Sequence, residues 1–331
     1  MTDAAARGAI VKCCWAGLVV VCLAWPLGAQ QVFHAGIDLV SFGVTVTDRK
    51  GNFVTDLRPE DFVVVEDGRK QRLDYFVRGV RGDRSSAEDG DGGGSKSALE
   101  VPLHMGLVFD TSGSMELDLQ MSRSAAVRFL NRLPEAEDMT LVDFDTEVRV
   151  ARYGQNDFAR MVERIRRRKP DGWTALYDAM GVYLDGADGQ DGRKIMVLYT
   201  DGGDTRSTMS FGDLVTMLKA SDVTMYAIGF LKHVGSAATD MRMRLQQMAE
   251  HTGGTALFPS SLEEIDKMYD RIVEELDARY TLGYLPSDVR ADGQWRNVEI
   301  KIVRSDAKNL RVRARKGYFA PYRDTGAAAR R

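Results

Sequence analysis

At 331 residues and 36.8 kDa, with 44% hydrophobic and 28% charged residues, the chain is long enough for about two domains and has an ordinary globular composition. Wholesale disorder is excluded, and a net charge of -3 with a pI near 5.9 argues against a protein that wraps nucleic acid over its whole surface. Arg7 and Lys12 open the chain, an apolar run follows from Cys13, and Leu27-Gly28-Ala29 closes it with small residues. This pattern predicts a signal peptide over residues 1–29, cleaved near Ala29. Pro26 interrupts the run before the ~20 apolar residues that a membrane span needs. The mature chain is therefore expected to be exported to the periplasm, the envelope or the medium, without a stable span. All three cysteines, Cys13, Cys14 and Cys22, fall in this segment, which removes disulfides and thiolate chemistry from the mature chain.

Val40, Phe42, Val44 and Val46 alternate with Ser41, Gly43, Thr45 and Thr47, the signature of a half-buried strand. Residues 62–65 and 73–77 give further strands, so residues 36–80 read as an N-terminal β segment. Composition then shifts to Gly, Asp and Ser, predicting a flexible linker over 81–98. From residue 103 to 280 apolar strands alternate with helical periodicity: 104–109, 140–144, 148–152, 195–199, 223–230 and 255–258 read as strands of a mainly parallel sheet covered by helices on both faces. Ser261 and Glu264 read as a capping box opening a helix whose buried stripe is Leu262, Ile265, Met268, Ile272 and Leu276.

Alternation returns in residues 280–322. Val298, Ile300 and Ile302 share one face, and Leu310, Val312 and Ala314 alternate with Arg311, Arg313 and Arg315, predicting a solvated basic face. Residues 290–331 hold twelve Lys/Arg against four Asp/Glu. Neither β segment alone buries a convincing core. The expected architecture is a doubly wound, mainly parallel α/β sheet inserted between N- and C-terminal β segments that pair as one β-sandwich-like domain, with a tail over 323–331.

Two strands end in chemistry. The first runs into Asp110-Thr111-Ser112-Gly113-Ser114, and the other into Asp201-Gly202-Gly203-Asp204. At the carboxyl end of a parallel strand, Asp110, Ser112 and Ser114 point three oxygens into one crevice. Between them in sequence, Gly172-Trp173-Thr174 offers a third hydroxyl as a helix begins. Singly, Asp110 and Asp201 could each be turn or helix caps; jointly with the hydroxyls they read as ligands. Asp178 and Asp204 read as turn or helix-start carboxylates.

As a set these residues resemble the von Willebrand factor A family and its metal-ion-dependent adhesion site, whose Asp-x-Ser-x-Ser, Thr and Asp fall here on Asp110, Ser112, Ser114, Thr174 and Asp201. The resemblance covers residues 103–280 and places such a domain at 99–279. The flanking LRPEDFVVVEDG and RKGYFAPY look like a bacterial secreted subgroup of related proteins. Hydroxyl and carboxylate oxygens without His or Cys select Mg²⁺, with Mn²⁺ or Ca²⁺ as alternatives, over zinc or copper. The resemblance implies a secreted, non-enzymatic adhesion module whose cation captures an acidic side chain on a protein partner. The alternative is an envelope scaffold in which the metal is structural. No nucleic-acid partner is expected.

An enzyme fits less well. Aspartyl-phosphate chemistry needs an acid two positions after the nucleophile, where Ser112 stands, and His34, His104, His233 and His251 suggest no catalytic triad. The basic run from Arg160 to Lys169 reads as a solvated helix face rather than an anion site. Trp173 reads equally well as a binding aromatic or as packing under its loop.

Overall fold

The computed structural model describes residues 39–79, 102–132 and 136–322; the expected signal peptide, the 81–98 linker and the 323–331 tail lie outside them. Among the described residues four strands precede the α/β region: β1 (Val40–Thr47), β2 (Phe62–Glu66), β3 (Arg69–Gln71) and β4 (Tyr75–Arg78). The central sheet follows with β5 (Leu103–Asp110), β6 (Asp138–Phe144), β7 (Val148–Gly154), β8 (Arg193–Thr200), β9 (Thr224–Gly229) and β10 (Thr255–Leu257). Its order is β10-β9-β8-β5-β6-β7. Every pairing is parallel except β6 with β7, which run antiparallel because the turn at Asp145–Glu147 is too short for a crossover.

Among the described residues six helices cover this sheet: α1 (Leu119–Arg132), α2 (Phe158–Arg167), α3 (Leu176–Asp188), α4 (Phe211–Ala220), α5 (Ala238–His251) and α6 (Leu262–Ala278). Met105, Leu107 and Phe109 of β5 pack with Phe129 of α1 and Tyr269 of α6 on one face. Val108 packs with Leu176 and Met180 of α3 on the other. Strands buried on both faces read as continuous apolar runs, as β5 and β8 do.

The chain closes with β11 (Tyr280–Tyr284), β12 (Trp295–Ile302), β13 (Arg311–Arg313) and β14 (Gly317–Phe319). Two four-stranded sheets result, β13-β1-β11-β4 and β14-β12-β2-β3. Each mixes strands from before and after the α/β region: Phe42 of β1 lies opposite Leu282 of β11, and Val64 of β2 opposite Ile300 of β12. One apolar core joins the two sheets through Phe42, Val44, Phe62, Tyr280, Leu282 and Tyr284. The expected pairing of the two terminal β segments is therefore observed.

Three local expectations change. Ser261 Oγ accepts from Glu264 N at 3.3 Å as expected, but the Glu264 carboxylate accepts from Ser260 N and Oγ at 2.7 and 2.9 Å, one residue upstream of the expected box. The buried stripe of α6 runs through Ile265, Tyr269, Ile272 and Leu276, leaving Leu262 exposed and Met268 half-buried, because the Tyr269 hydroxyl meets that of Tyr199 at 2.8 Å beneath the sheet. The expected solvated basic face on the C-terminal strands is largely consumed. Arg313 pairs with buried Glu275 of α6, and Arg315 reaches the carbonyls of Ser41 and Ser221 while its guanidinium stacks 4.6 Å from the Phe42 ring. Glu275 also accepts from Thr45 at 3.2 Å and from Tyr226 at 2.8 Å, so the polar face of β1 is covered by α6 rather than by water.

Inside the terminal β module the buried carboxylate of Glu66 accepts from the hydroxyls of Tyr284 at 2.7 Å and Tyr318 at 2.9 Å, tying β2 to strands of both sheets. Removing it orphans two buried phenol donors. Glu66→Ala is expected to lower unfolding stability by about 2–4 kcal/mol in urea titrations, with Glu66→Gln recovering at least half; an unchanged midpoint for Glu66→Ala would contradict this role.

Candidate metal centre

The centre is built where β5 and β8 end side by side. Phe109 pairs with Tyr199, so Asp110 and Thr200 are the next residues on neighbouring strands. Asp110 is fully buried: its Oδ1 accepts from Ser112 N at 2.9 Å and its Oδ2 from Thr200 Oγ1 at 2.6 Å. Asp201 is also buried, and its Oδ1 accepts from Gly203 N at 3.0 Å. Gly202 takes φ +87°, which supplies the sharp exit from β8 that the sequence required. Burial, reinforced by the Asp201 charge, pushes the Asp110 carboxyl up to about 7 despite the hydrogen bonds from Ser112 and Thr200.

Ser112 Oγ and Ser114 Oγ lie 3.1 Å apart, with Ser112 buried and Ser114 exposed, so the hydroxyl pair leads from the buried acid to solvent. Three loops are laced together around them. Thr111 bonds the Phe144 carbonyl through both N and Oγ1, at 2.8 and 2.9 Å, pinning the first loop to β6. Gly113 N donates to Gly172 O at 3.1 Å, joining the first loop to the second. Thr174 N donates to Thr205 Oγ1 and Thr205 N returns a bond to Thr174 O, both at 2.9 Å, joining the second loop to the third. Asp110, Ser112 and Ser114 are thus joined by hydrogen bonds, the charge of Asp201 acts on Asp110, and Thr174 is buried at the seam between the second and third loops.

The profile of the von Willebrand factor type A domain matches residues 105–271. The chain belongs to that family. Among solved structures, similarity is found to the PilB minor pilin from Streptococcus sanguinis (16% identity, 53% of this chain and 62% of that one, TM-score 0.42). The vWF domain of the type V pili tip protein Mfa5 from Porphyromonas gingivalis is also similar (14%, 52% and 95%, TM-score 0.43). So is the pilus adhesin SpaC from Lactobacillus rhamnosus GG in an open conformation (10%, 79% and 48%, TM-score 0.45). The chain thus spans about 62% of the PilB chain. None of the curated proteins matches the chain.

In this A domain the donor set is two carboxylates with neighbouring hydroxyls, chemistry that suits a hard divalent cation completed by water. Among the described residues no three or more His, Cys, Asp or Glu side chains converge as a metal group, so a cation here would rely on the hydroxyls. Asp178 and Asp204 are bracing groups. Asp178 accepts from Thr208 N and Met209 N, both at 2.9 Å, while Asp204 accepts from Tyr177 N at 3.2 Å and from Ser207, which caps the first turn of α3.

Several supports were not legible beforehand. Thr200 precedes Asp201 and reads only as the last residue of an apolar strand, yet it holds Asp110. Asp143, buried one strand away on β6, draws in Arg164 and Arg168 at 2.6 Å and Arg149 at 3.6 Å. Arg164 and Arg168 are therefore committed to an internal acid, while Arg160, Arg166, Arg167 and Lys169 are exposed, as expected of a solvated face. His233 Nδ1 meets Asp118 Oδ2 at 2.9 Å, linking the end of the first loop to the loop after β9. Trp173 is 65% exposed, which resolves its two readings in favour of a surface aromatic.

A carboxyl whose folded-state pKa lies above its unfolded value favours the fold while protonated and disfavours it once ionised. In EDTA, the Asp110 contribution is thus expected to fall as pH rises from about 4 to about 7. Asp110→Asn is expected to melt higher than the parent at pH 8, with the gap closing towards pH 5. Parallel melting profiles for the two proteins across that range would contradict it.

Proposed function

We propose that the chain is an exported, non-enzymatic binding module. Its A domain, residues 99–279, holds a divalent cation on Asp110, Ser112, Ser114, Thr174 and Asp201, as a metal-ion-dependent adhesion site, and captures an acidic side chain of a partner protein. The observation that carries the reading is electrostatic: two buried carboxylates lie at neighbouring strand ends, the charge of Asp201 acts on Asp110, and among the described residues neither is paired with Lys, Arg or His. Such an arrangement is costly unless positive charge joins it.

The residues divide the work. Thr200 and the Ser112 amide orient Asp110, Gly203 N orients Asp201, and exposed Ser114 stands at the solvent side. A bound Mg²⁺, or Mn²⁺ or Ca²⁺, supplies an open coordination position for a ligand carboxylate oxygen. Two protein carboxylates leave the filled site near neutral, so an incoming carboxylate is not repelled. The paired β segments, 36–80 and 280–322, carry the A domain in the envelope or outside the cell, after loss of residues 1–29.

The test begins with the cation. Titrated Mg²⁺ is expected to stabilise the parent by about 2.7 kcal/mol at a hundredfold excess over its dissociation constant, and to leave Asp110→Ala unmoved. Affinity capture from envelope and culture fractions is then compared in Mg²⁺ and EDTA. Retention of a protein only by the parent in Mg²⁺ is expected. If chelation lowers the melting temperature while capture is unchanged, the cation is structural and the scaffold reading replaces adhesion.

A further inference from the structure

Three side chains stand on the rim of the laced loops with no role in holding them together. Leu117, three residues beyond Ser114, is 71% exposed, and Trp173, immediately before Thr174, is 65% exposed. Arg206 is exposed on the third loop: its backbone N donates to Thr174 O, next to Trp173, at 3.0 Å, yet its guanidinium makes no ion pair or side-chain hydrogen bond among the described residues. Trp173 is also fixed in its outward course. Gly172 takes φ +69°, a Cβ there would lie 2.4 Å from Thr146 Oγ1, and that same oxygen accepts from Trp173 N at 2.9 Å. The backbone that presents this exposed aromatic is thus fixed, and Trp and Arg dominate the energetics of protein interfaces.

We infer that Leu117, Trp173 and Arg206 form the specificity rim of the centre, and that they fit a protein segment carrying two carboxylates and an apolar side chain. This rests on the metal-capture reading given above. One carboxylate enters the centre, the apolar side chain packs on Trp173 and Leu117, and the second carboxylate pairs with Arg206. Charge sets the direction. Exposed Glu116 beside Leu117 and exposed Asp171 beside Gly172 repel a second acid on their side, so the complementary position is the third loop, where the uncommitted Arg206 stands.

A random linear peptide library displayed on phage, selected on the purified chain in Mg²⁺, tests this without presupposing a partner. Enriched sequences are expected to carry two Asp or Glu with an aromatic or aliphatic residue close by. The synthesised peptide is expected to shift the Trp173 emission, to be released by EDTA, and to bind roughly tenfold or more weakly to Trp173→Ala and to Arg206→Ala, with Trp173→Phe retaining most affinity. Mg²⁺ affinity by calorimetry is expected to be unchanged in all three variants, since none supplies a ligand. Enrichment of Mg²⁺-dependent peptides with a single acid, indifferent to both alanine variants, overturns the rim while leaving metal capture standing. Peptides that bind equally in EDTA and to Asp110→Ala overturn metal capture itself. If Mg²⁺ binds but no Mg²⁺-dependent peptide is enriched, the rim is not a linear-segment reader and the inference fails.

Discussion

The structure around the centre depends on a single constraint: Asp110 is fully buried at the end of the central strand, against another carboxylate. Its two oxygens are each given a donor, from Ser112 N and Thr200 Oγ1. Two hydrogen bonds do not neutralise a buried charge, and the carboxyl responds by holding its proton to about 7. Everything nearby serves to keep that arrangement from relaxing. The first loop is pinned to β6 through Thr111, the second loop to the first through Gly113, and the third to the second through Thr205. A carboxylate that cannot swing out to water is available to whatever positive charge reaches it through Ser114.

The terminal β module is joined to the α/β region by the same means, a buried acid with several donors. Glu275 on α6 gathers Thr45 from β1, Tyr226 from β9 and Arg313 from β13. Here the acid has its cation. Because β1 and β13 lie side by side and come from opposite ends of the chain, one carboxylate fixes both termini of the fold against the last helix of the α/β region. Truncating either end would therefore leave Glu275 short of a partner, which makes the two β segments interdependent beyond their shared core.

The sheet and its strand-end acids were legible in sequence because both arise from local pattern. Apolar runs such as residues 103–109 and 195–199 can only be buried strands, and Asp110, Ser112 and Ser114 follow within four residues. The supports were hidden because they act across the fold. Thr200 serves an acid 90 positions away, His233 meets Asp118 across 115, and Arg313 reaches Glu275 on another element. Charge runs misled for the same reason. Arg164 and Arg168 in the basic run and Arg313 in β13 look solvated when only their own element is considered, yet Asp143 and Glu275 wait on a neighbouring strand and helix. The α6 stripe shifted by one residue because Tyr269 had a hydroxyl partner in Tyr199 that helical spacing does not reveal.

The buried acids of the described residues, taken together, separate structural from functional charge. Asp143 has three arginines, Asp145 has Arg149, Glu275 has Arg313, Asp118 has His233, and Glu66 has two phenols. Asp110 and Asp201, like Glu66, have hydroxyl or amide donors and no basic side chain, but only at Asp110 does a second buried carboxylate add its charge. Four of the other five buried acids have a basic partner, and a pair of carboxylates left with hydroxyls and amides instead supports the proposal that positive charge of external origin joins them. Hydroxyls would suit that purpose because they lend oxygens without adding charge, so a site filled by a divalent ion stays near neutral and does not repel one further anionic group. On the proposed reading, the exposed Leu117, Trp173 and Arg206 select which anionic group approaches.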